Sequence, residues 1–399
     1  MSAAHDPVHE EIGEGDNPLA GSLAGVRVID FSQIAAGPLC TMLLADMGAD
    51  VIKVEPPTGD VGRTLGPPFV GGESTLFMSL NRNKRGVVLD LKPAEGREQA
   101  HTLIAEADVV VESFRPGVAD RLGIGAAELT ALHPTLVYCS ISAFGQSGPW
   151  SGRPGVDGVL QAISGMMSIT GNRDEPPSKV QAPLVDMLTG FQATIAVLAA
   201  LQRRTAGMPL RPLDVNLYAC AMLMQQIPLS GFLATGELPV RSGSGAPYAT
   251  PNEAYRTADG HIMIAAYQQR RWKDLCRALR REELADDPLF DTLEHRMSNR
   301  DALALALEEQ LARRTTSEWV DLLHRSDIIC APVADYHDVV GSPQLVHQGI
   351  LIDVDHPSAG RVSMPGFAIG GRAIPRSRPS PMLGEHDRLL LPASRMPSA

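Results

Sequence analysis

The side chain best suited to covalent chemistry is Asp186, in the segment PLVDMLTG at residues 183–190. An aspartate just before an apolar-periodic segment is typical of a helix N-cap, because its carboxylate can accept hydrogen bonds from free backbone N–H groups. The same N–H groups and the helix dipole would keep the carboxylate ionised in an apolar pocket, where it could act as a nucleophile. The two roles are compatible. The sequence therefore predicts a helix cap at Asp186 and leaves a nucleophilic role open.

Other kinds of site find little support in the sequence. A dinucleotide site needs GxGxxG after the first strand, whereas the turn at residues 32–38 reads SQIAAGP, and the pair Gly123 and Gly125 lacks a third glycine. Ala35 and Ala36 are still small enough to let a nucleotide-bearing ligand lie close to the backbone. Walker A, HExxH, GxSxG and paired Cys/His spacings are absent, and the eleven histidines are isolated. We expect no metal and no tightly bound redox cofactor.

The elements that must position Asp186 follow from hydrophobic periodicity. Short β-branched runs alternate with longer amphipathic segments, which predicts parallel strands at residues 26–31, 51–55, 86–91, 108–114 and 136–144. This alternation indicates an α/β fold with a doubly wound parallel sheet, Rossmann-like but without the dinucleotide fingerprint. Two further helices are predicted at residues 187–204 and 215–226, the first of them starting directly after Asp186.

The pattern changes after residue 227. Residues 241–250, RSGSGAPYAT, are typical of a boundary, and the next stretch predicts a hairpin that turns at residues 258–260. We predict four segments: a disordered tail at residues 1–20, a large α/β domain at 21–227, a smaller α+β domain at 228–330, and a C-terminal segment at 331–399. That last segment is rich in proline and poor in strand signals, which is consistent with a return to the large domain.

The composition of the chain limits its expected binding partners and cellular compartment. The chain has 399 residues and a formal net charge of −11, which works against binding to nucleic acid or to an anionic membrane. Its five cysteines form no CxxC pair, as expected for reduced thiols in the cytoplasm, and the acidic N-terminus lacks the pattern of a secretory signal. The longest apolar helical stretch, around residues 195–201, is shorter than the roughly 20 residues that span a bilayer, so no transmembrane segment is predicted.

Several segments together resemble the family III CoA-transferases (CaiB/BaiF type). This family includes formyl-CoA, carnitine and dicarboxylate CoA-transferases and the related α-methylacyl-CoA racemases. The resemblance spans about residues 22–392 and is carried, in one order, by LAGVRVIDFSQIAAGPLCTMLLADMGADVIKVEPPTGD, NRNKRGVVLDLKPAEG, VESFRPGVADRLG, SISAFGQSGPWSGRPGVD, QAISGMMSITG, PLVDMLTG and PMLGEHD. It implies an enzyme that moves CoA from an acyl-CoA to a free carboxylic acid. It also implies an interlocked homodimer, in which two ring-shaped chains pass through each other.

The resemblance implies roles for particular residues. The aspartate of the family's D-x-x-x-G segment is the nucleophile, so Asp186 would form an aspartyl anhydride and then an aspartyl-CoA thioester. CoA is thus a substrate and not a bound cofactor. Its binding positions along the C-terminal edge of the sheet would be Ile34, Ala35, Ala36, Leu89, Lys92, Ser113, Phe114, Arg121 and Leu122. Lys92 and Arg121 would supply positive charge for phosphate groups.

A glycine loop closes over the intermediate in this family, and the best match in position is Gly243, Ser244 and Gly245. A flexible turn between domains explains this SGSG sequence equally well. Backbone N–H groups in the loop, or at the start of the Asp186 helix, could stabilise the oxyanions of the reaction.

This chain departs from family patterns in two places. Family transferases often carry Asn before Phe in their VENF segment and a basic residue after VIKxE, where this chain has Ser113 and Pro56, so some phosphate contacts would be replaced or missing. Racemase members carry a histidine before the aspartate of their GHD segment, where this chain has Val156, which cannot transfer a proton. A CoA-transferase is therefore favoured over the alternatives, a racemase-like isomerase and a non-catalytic CoA-binding protein.

The resemblance also bears on the substrate. The segments at residues 66–86 and 153–171 look most similar to dicarboxylate members, which predicts succinyl-CoA or a similar short dicarboxylyl-CoA as donor. The second carboxylate needs a cation, for which Arg63, Arg82, Arg153 and Arg241 are candidates. A role at the surface is an equally good interpretation of each arginine.

Overall fold

The computed structural model describes residues 17–369, 372–373 and 377–390. Of the predicted disordered tail, residues 1–16 lie outside the described residues. Residues 17–20 form a turn, in which the buried Asn17 donates a hydrogen bond from Nδ2 to the carbonyl oxygen of Phe367 over 2.7 Å. The prediction of a tail is therefore wrong for residues 17–20, because a buried amide bonded to distant backbone holds them.

The chain divides into two compact units. The first consists of the described residues within 1–164, 181–225 and 342–399, and the second of residues 165–180 and 226–341. Residues 165–180 were expected in the large domain. They belong instead to the second unit, where the Gly243 N–H donates to the carbonyl oxygen of Gly171 over 3.0 Å and the Arg241 guanidinium donates to the carbonyl oxygens of Asn172 and Glu175.

The strands of the described chain are β1 (Arg27–Phe31), β2 (Asp50–Glu55), β3 (Phe69–Val70), β4 (Glu73–Ser74), β5 (Arg85–Val88), β6 (Val109–Glu112), β7 (Val137–Ser142), β8 (Leu213–Asn216), β9 (Asn252–Arg256), β10 (His261–Ala265), β11 (Ile329–Pro332), β12 (Leu351–His356), β13 (Gly360–Pro365), β14 (Ala368–Ile369) and β15 (Arg372–Ala373). The α-helices are α1 (Ala36–Asp46), α2 (Thr75–Leu80), α3 (Ala94–Ala105), α4 (Val118–Arg121), α5 (Ala126–Leu132), α6 (Asp157–Ile163), α7 (Leu184–Thr205), α8 (Leu217–Met224), α9 (Gln226–Thr235), α10 (Gln269–Ala278), α11 (Glu283–Asp286), α12 (Leu293–Ser298), α13 (Arg300–Leu311), α14 (Thr316–Arg325), α15 (Tyr336–Val340) and α16 (Pro343–His347). Short 3₁₀ turns lie at Val61–Thr64, Met166–Ser168 and Asp387–Leu390.

The first unit is built on a six-stranded sheet in the order β5-β2-β1-β6-β7-β8, in which every neighbouring pair is parallel. Numbered along the chain, these six strands stand in the order 3-2-1-4-5-6, which is that of doubly wound nucleotide-binding sheets. The predicted α/β class and parallel sheet are confirmed. The strand order reverses between β1 and β6, and ligands of such folds bind beyond the carboxyl ends of the strands at this point.

The sixth strand was not predicted. Residues 215–226 were expected to be helical, but Val215 and Asn216 end β8, which pairs with β7. The helix α8 begins one residue later, at Leu217, because the Asn216 side chain caps it by accepting a hydrogen bond from the Ala219 N–H over 2.8 Å.

Helices cover both faces of the sheet. Ile29, Phe31 and Val110 pack with side chains of α3 and α5 on one face, and α1 and α7 pack together on the other. By length and composition alone α7 could cross a membrane, so its apolar stretch is longer than predicted. Val185, Ala193 and Val197 of α7 are fully buried, however, and the helix packs against α1, α8 and the sheet. In this fold α7 is a core helix of the first unit.

The second unit has an antiparallel sheet in the order β11-β10-β9. The predicted hairpin is confirmed, since β9 and β10 pair across residues 257–260. The buried rings of Trp272 and Trp319 pack with Ile262 and Ile264 of this sheet and with apolar side chains of α13.

The C-terminal segment contains more strand than predicted. Within residues 342–390, β12 and β13 form a hairpin, because apolar and polar residues alternate in LIDVDH and bury Ile352 and Val354. Residues 381–390 lie along the edge strand β5, where the His386 N–H donates to the carbonyl oxygen of Gly86 over 2.9 Å. The Val88 N–H in turn donates to Asp387 Oδ1 over 2.8 Å.

Candidate active site

Asp186 lies in the first turn of α7, but it is not the helix cap. The cap position is Pro183, which offers no side-chain hydrogen bond, and Asp186 is the third residue of the helix. The capping carboxylate belongs to Asp157, whose Oδ2 accepts hydrogen bonds from the N–H groups of Val185, over 2.8 Å, and Asp186, over 3.2 Å. The predicted N-cap role of Asp186 is therefore wrong. The Asp186 carboxylate does not take part in capping the helix.

The surroundings of Asp186 favour its neutral form. Burial and, to a smaller extent, the negative charge of Asp157 together raise the pKa of Asp186 from its ordinary 3.8 to about 7. The expected stabilisation of the ionised form by helix N–H groups is not found, because Asp157 has taken those of Val185 and Asp186. A carboxylate of this kind is more basic than an ordinary aspartate and therefore a stronger nucleophile once ionised.

Gly190 explains the spacing of the D-x-x-x-G segment. It lies one helical turn after Asp186, on the same face of α7, and a Cβ atom there would come within 2.9 Å of Leu39 Cβ in α1. Met187 of the same turn packs against the apolar cluster that includes Ala35 and Leu39, at the start of α1. The face of α7 that carries Asp186 and Gly190 is thus set against the start of α1, directly after the loop that follows β1.

The loop after β1 is held in an unusual conformation. Ile34 has φ of 69°, in the left-handed region that a β-branched residue rarely adopts. Its N–H donates to Asp60 Oδ1 over 3.0 Å, and Asp60 forms a buried ion pair with Lys53, Nζ to Oδ2 over 2.8 Å. The Gln33 N–H donates to Ser113 Oγ over 2.9 Å, which ties the ends of β1 and β6 together at the point where the strand order reverses.

A first cleft, of about 120 Å³, opens beyond the carboxyl ends of β1, β2 and β5. Four of the predicted CoA-binding residues line it: Leu89, Lys92, Phe114 and Leu122. Ala35 and Ala36 are 3% and 7% exposed, so they offer a ligand closely packed backbone more than side-chain surface. Arg121 is exposed at the end of α4 and does not line this cleft.

A second cleft, of about 230 Å³, lies beyond the ends of β6 and β7 and is lined by Ser113, Phe114, Arg115, Arg153 and Val156 among others. The Arg153 guanidinium lies over the Trp150 ring, 4.8 Å from its centroid. Within residues 17–369, 372–373 and 377–390, neither Arg115 nor Arg153 forms an ion pair with a carboxylate. This cleft therefore presents unneutralised positive charge.

Three of the four arginines considered for a second carboxylate have structural partners. Arg63 makes a paired contact with Glu55, Nε to Oε2 over 2.7 Å and Nη2 to Oε1 over 2.8 Å. Arg82 is buried against Asp46, and the Arg241 guanidinium is bonded to backbone carbonyl oxygens. Arg153 is left as the candidate of the four whose guanidinium contacts the Trp150 ring and makes no ion pair or hydrogen bond in the described part of the chain.

Comparison with known proteins identifies the family. The family model described as CoA-transferase family III matches residues 23–387. The chain belongs to CoA-transferase family III.

Relatives of this transferase cover it almost completely. It is 35% identical over 373 residues to succinyl-CoA:glutarate CoA-transferase of Homo sapiens, covering 92% of this chain and 85% of that protein. It is 36% identical over 384 residues to acetyl-CoA:oxalate CoA-transferase of Acetobacter aceti, covering 95% and 97%. A solved structure of a CaiB/BaiF family protein from Brucella suis superposes with a TM-score of 0.82 at 34% identity, covering 94% of this chain and 98% of that one.

The SGSG segment of the transferase, residues 242–245, is a turn of the second unit that is held by hydrogen bonds. Gly243 has φ of 61° and its N–H donates to Gly171, while the Gly245 N–H donates to the carbonyl oxygen of Ser242 over 2.9 Å. Ser244 Oγ accepts from the Ala254 N–H over 3.0 Å. Two of the N–H groups expected to stabilise an oxyanion are therefore engaged within the unit.

The sequence missed two residues of the site. Arg115 follows the end of β6, and the rule that ligands bind beyond the carboxyl ends of parallel strands would have pointed to it. Asp157 stands next to Val156, the residue on which the comparison with racemases rested. Its capping role depends on a contact across 28 residues, for which the sequence carries no local signal. In the described residues, no group of three or more His, Cys, Asp and Glu side chains is placed to hold a metal ion.

Proposed function

We propose that this enzyme transfers CoA from a short dicarboxylyl-CoA to a free dicarboxylic acid through covalent intermediates on Asp186. The observation that carries the proposal is the position of Asp186. Its carboxylate is partly buried and free of the capping role, and it lies on the face of α7 that packs against the start of α1, directly after the loop that follows β1.

The reaction has four steps that balance without water. An ionised oxygen of Asp186 attacks the thioester carbonyl of the donor and expels CoA thiolate, which gives a mixed anhydride. The thiolate attacks the aspartyl carbonyl and releases the donor acid as a carboxylate, which leaves an aspartyl-CoA thioester. The acceptor carboxylate then attacks this thioester and expels the thiolate. The thiolate finally attacks the acceptor carbonyl of the new anhydride, which regenerates ionised Asp186 and releases the new acyl-CoA.

The two clefts suit the two ends of the substrate. The first cleft offers apolar walls from Leu89, Phe114 and Leu122 with Lys92 as a cation, which matches an adenine ring with its phosphates. Residues 34–36 would guide the pantetheine arm from there to Asp186. The second cleft contains Arg153 and Val156, and Asp157 next to Val156 bonds the Asp186 backbone. Arg153 is therefore our candidate for binding the distal carboxylate of a diacid.

The names of the relatives support the class of acid. Glutarate and oxalate, in the two names above, are both dicarboxylates. We propose diacids of four to six carbons as substrates, with succinyl-CoA as the first donor to test.

The test is a panel of acyl-CoA donors against mono- and dicarboxylic acids, with CoA esters separated by liquid chromatography. Asp186→Ala is expected to bind acyl-CoA yet to form no covalent CoA adduct in mass spectrometry and to show no turnover, whereas the surface variant Asp174→Ala behaves as the parent. Activity of Asp186→Ala within about tenfold of the parent contradicts the nucleophile assignment. Turnover with formate, oxalate or carnitine and none with four- to six-carbon diacids contradicts the substrate class alone.

The alternatives predict different results in the same assays. A racemase would exchange the α-hydrogen of a branched acyl-CoA for deuterium without an acceptor acid. The position before Asp157 is Val156, 59% exposed in the second cleft, and valine supplies no proton there. A non-catalytic CoA-binding protein would bind CoA and form no adduct with any donor.

We also propose the interlocked homodimer. Its support is apolar surface that each unit leaves exposed. None of the ten residues of α9 is buried, and Ile227 and Leu233 of that helix are 73% and 74% exposed. Ile195 of α7, in the first unit, is 67% exposed. Apolar surface of this extent is typical of an interface. Mass photometry at nanomolar concentration should show the dimer, and a reversible monomer would contradict interlocking.

A further inference from the structure

The carboxylate of Asp157 is fixed between two helices. Its Oδ1 accepts a hydrogen bond from Gln161 Nε2 over 2.6 Å, one turn along α6, and its Oδ2 accepts from the Val185 and Asp186 N–H groups of α7. Asp157 is 8% exposed and Gln161 is fully buried. A carboxylate whose two oxygens are bonded from different elements has one orientation, so a negative charge is held at the backbone of the nucleophile.

The ionisable groups around the start of α7 leave this charge largely unopposed. Asp157 is the single ionisable residue of α6. In α7, Asp186 is the single charged residue before Arg203. The titratable side chain in the first two turns of α1 is Cys40, and burial raises its pKa to about 12, so it stays neutral near pH 7. On α8 burial likewise raises the pKa of Cys220. The loop before α6 carries Arg153, which lines the second cleft.

We propose that Asp157 is a positioning residue that caps the nucleophile's helix and favours the acylated form of Asp186 over its free carboxylate. The proposal rests on the proposed covalent role of Asp186. A fixed negative charge opposes the ionised Asp186 side chain. Once that side chain becomes an anhydride or thioester it carries no charge, and the repulsion disappears. Asp157 therefore raises the free energy of the resting carboxylate and leaves the covalent intermediates unaffected, which makes Asp186 easier to acylate.

Substitutions can separate the charge from the cap. Asp157→Asn keeps the size of the side chain and an oxygen that accepts from the α7 backbone, and removes the charge. Asp157→Ser also caps, through a hydroxyl, and serves if the first variant does not fold. Asp335→Asn is the matched control, because Asp335 Oδ1 accepts in the same way from two N–H groups at the start of α15, those of His337 and Asp338.

The primary measurement does not depend on turnover. The protein is labelled with ¹³C at the aspartate side-chain carboxyl, and the Asp186 resonance is assigned from its loss in Asp186→Asn. In the parent it is expected to titrate near pH 7, and in Asp157→Asn or Asp157→Ser about one pH unit lower. The acid limb of kcat/KM for CoA transfer is expected to move by the same interval, and Asp335→Asn to change neither.

Each outcome bears on one claim. An unchanged Asp186 midpoint in both capping variants overturns the proposal. A loss of activity that is uniform at all pH values, with that midpoint unchanged, shows a purely structural cap and also overturns it. A lowered midpoint in a protein that transfers no CoA contradicts the proposed function and leaves the effect of Asp157 on Asp186 standing.

Discussion

Gly190 lies so close to Ala36 that a Cβ atom built on it would stand 2.7 Å from the Ala36 carbonyl oxygen. The start of α1 and the helix of the nucleophile can approach this closely because residue 190 has no side chain. Since Ala36 begins α1 directly after the strained loop, a shift of α7 would move Asp186 relative to the whole switch-point edge of the sheet.

Gly190→Ala is expected to destabilise the protein by about 1–3 kcal/mol, because a methyl group must be forced between two packed backbones. Transferase kcat should fall at the same time, since Asp186 shifts with its helix. Urea unfolding and steady-state kinetics measure the two effects. Gly341→Ala, at the end of α15, is the control. A Cβ there meets nothing closer than 3.6 Å, and the φ of −86° at this position suits alanine. Equal stability changes in the two variants would contradict the close packing at Gly190.

The ionisation of Asp186 should lower the stability of the folded enzyme as the pH rises from 5 to 8. The folded pKa of Asp186, about 7, lies above the ordinary 3.8, so the native state holds an extra proton between these values and that stabilisation is lost as pH rises through 7. Asp186→Asn cannot ionise and is spared this loss. Relative to the parent it should gain about 2 kcal/mol, or roughly 2–3 °C in Tm, between pH 5 and pH 8. Calorimetry at the two pH values tests this, and an identical Tm difference at both would refute it.

The buried pair of Lys53 and Asp60 should be far more costly to break than a surface pair. Asp60→Ala leaves the Lys53 ammonium buried without this partner and removes the acceptor of the Ile34 N–H. We expect a loss of about 3–5 kcal/mol in urea unfolding and a raised KM for acyl-CoA. Asp353→Ala breaks the exposed pair with Arg361 and should change neither. Similar effects of the two substitutions would rule out a special role for the buried pair.

Arg153 should discriminate between donors. Arg153→Met keeps the contact with Trp150 but removes the cation, so KM for succinyl-CoA should rise about 10- to 100-fold and KM for acetyl-CoA by less than about threefold. Arg211→Met, a change at an exposed arginine, serves as the control. An equal rise in KM for both donors would indicate that Arg153 binds CoA itself and not a second carboxylate.

The sequence predicted the sheet well and the polar contacts poorly, for a physical reason. Buried parallel strands such as Val109–Glu112 are continuous apolar runs that stand out locally, whereas β8 reads LDVN and is too short and polar to do so. Asp186 was found because its segment resembles a family motif. That Asp157 caps its helix, and that Arg63 is committed to Glu55, depends on which residues the fold brings together.

Residues 381–390, which lie along the edge strand β5, have a consequence for the synthesis of the protein. The His386 ring and the strand residue Gly86 that it contacts are 300 positions apart, and the described residues of the first unit come from three separate stretches of chain. Once residue 88 has left the ribosome, this strand edge therefore stays uncovered until about 300 further residues have been synthesised. During that interval the nascent chain presents a surface that can pair with another chain, so chaperone binding during synthesis should concentrate between these two points.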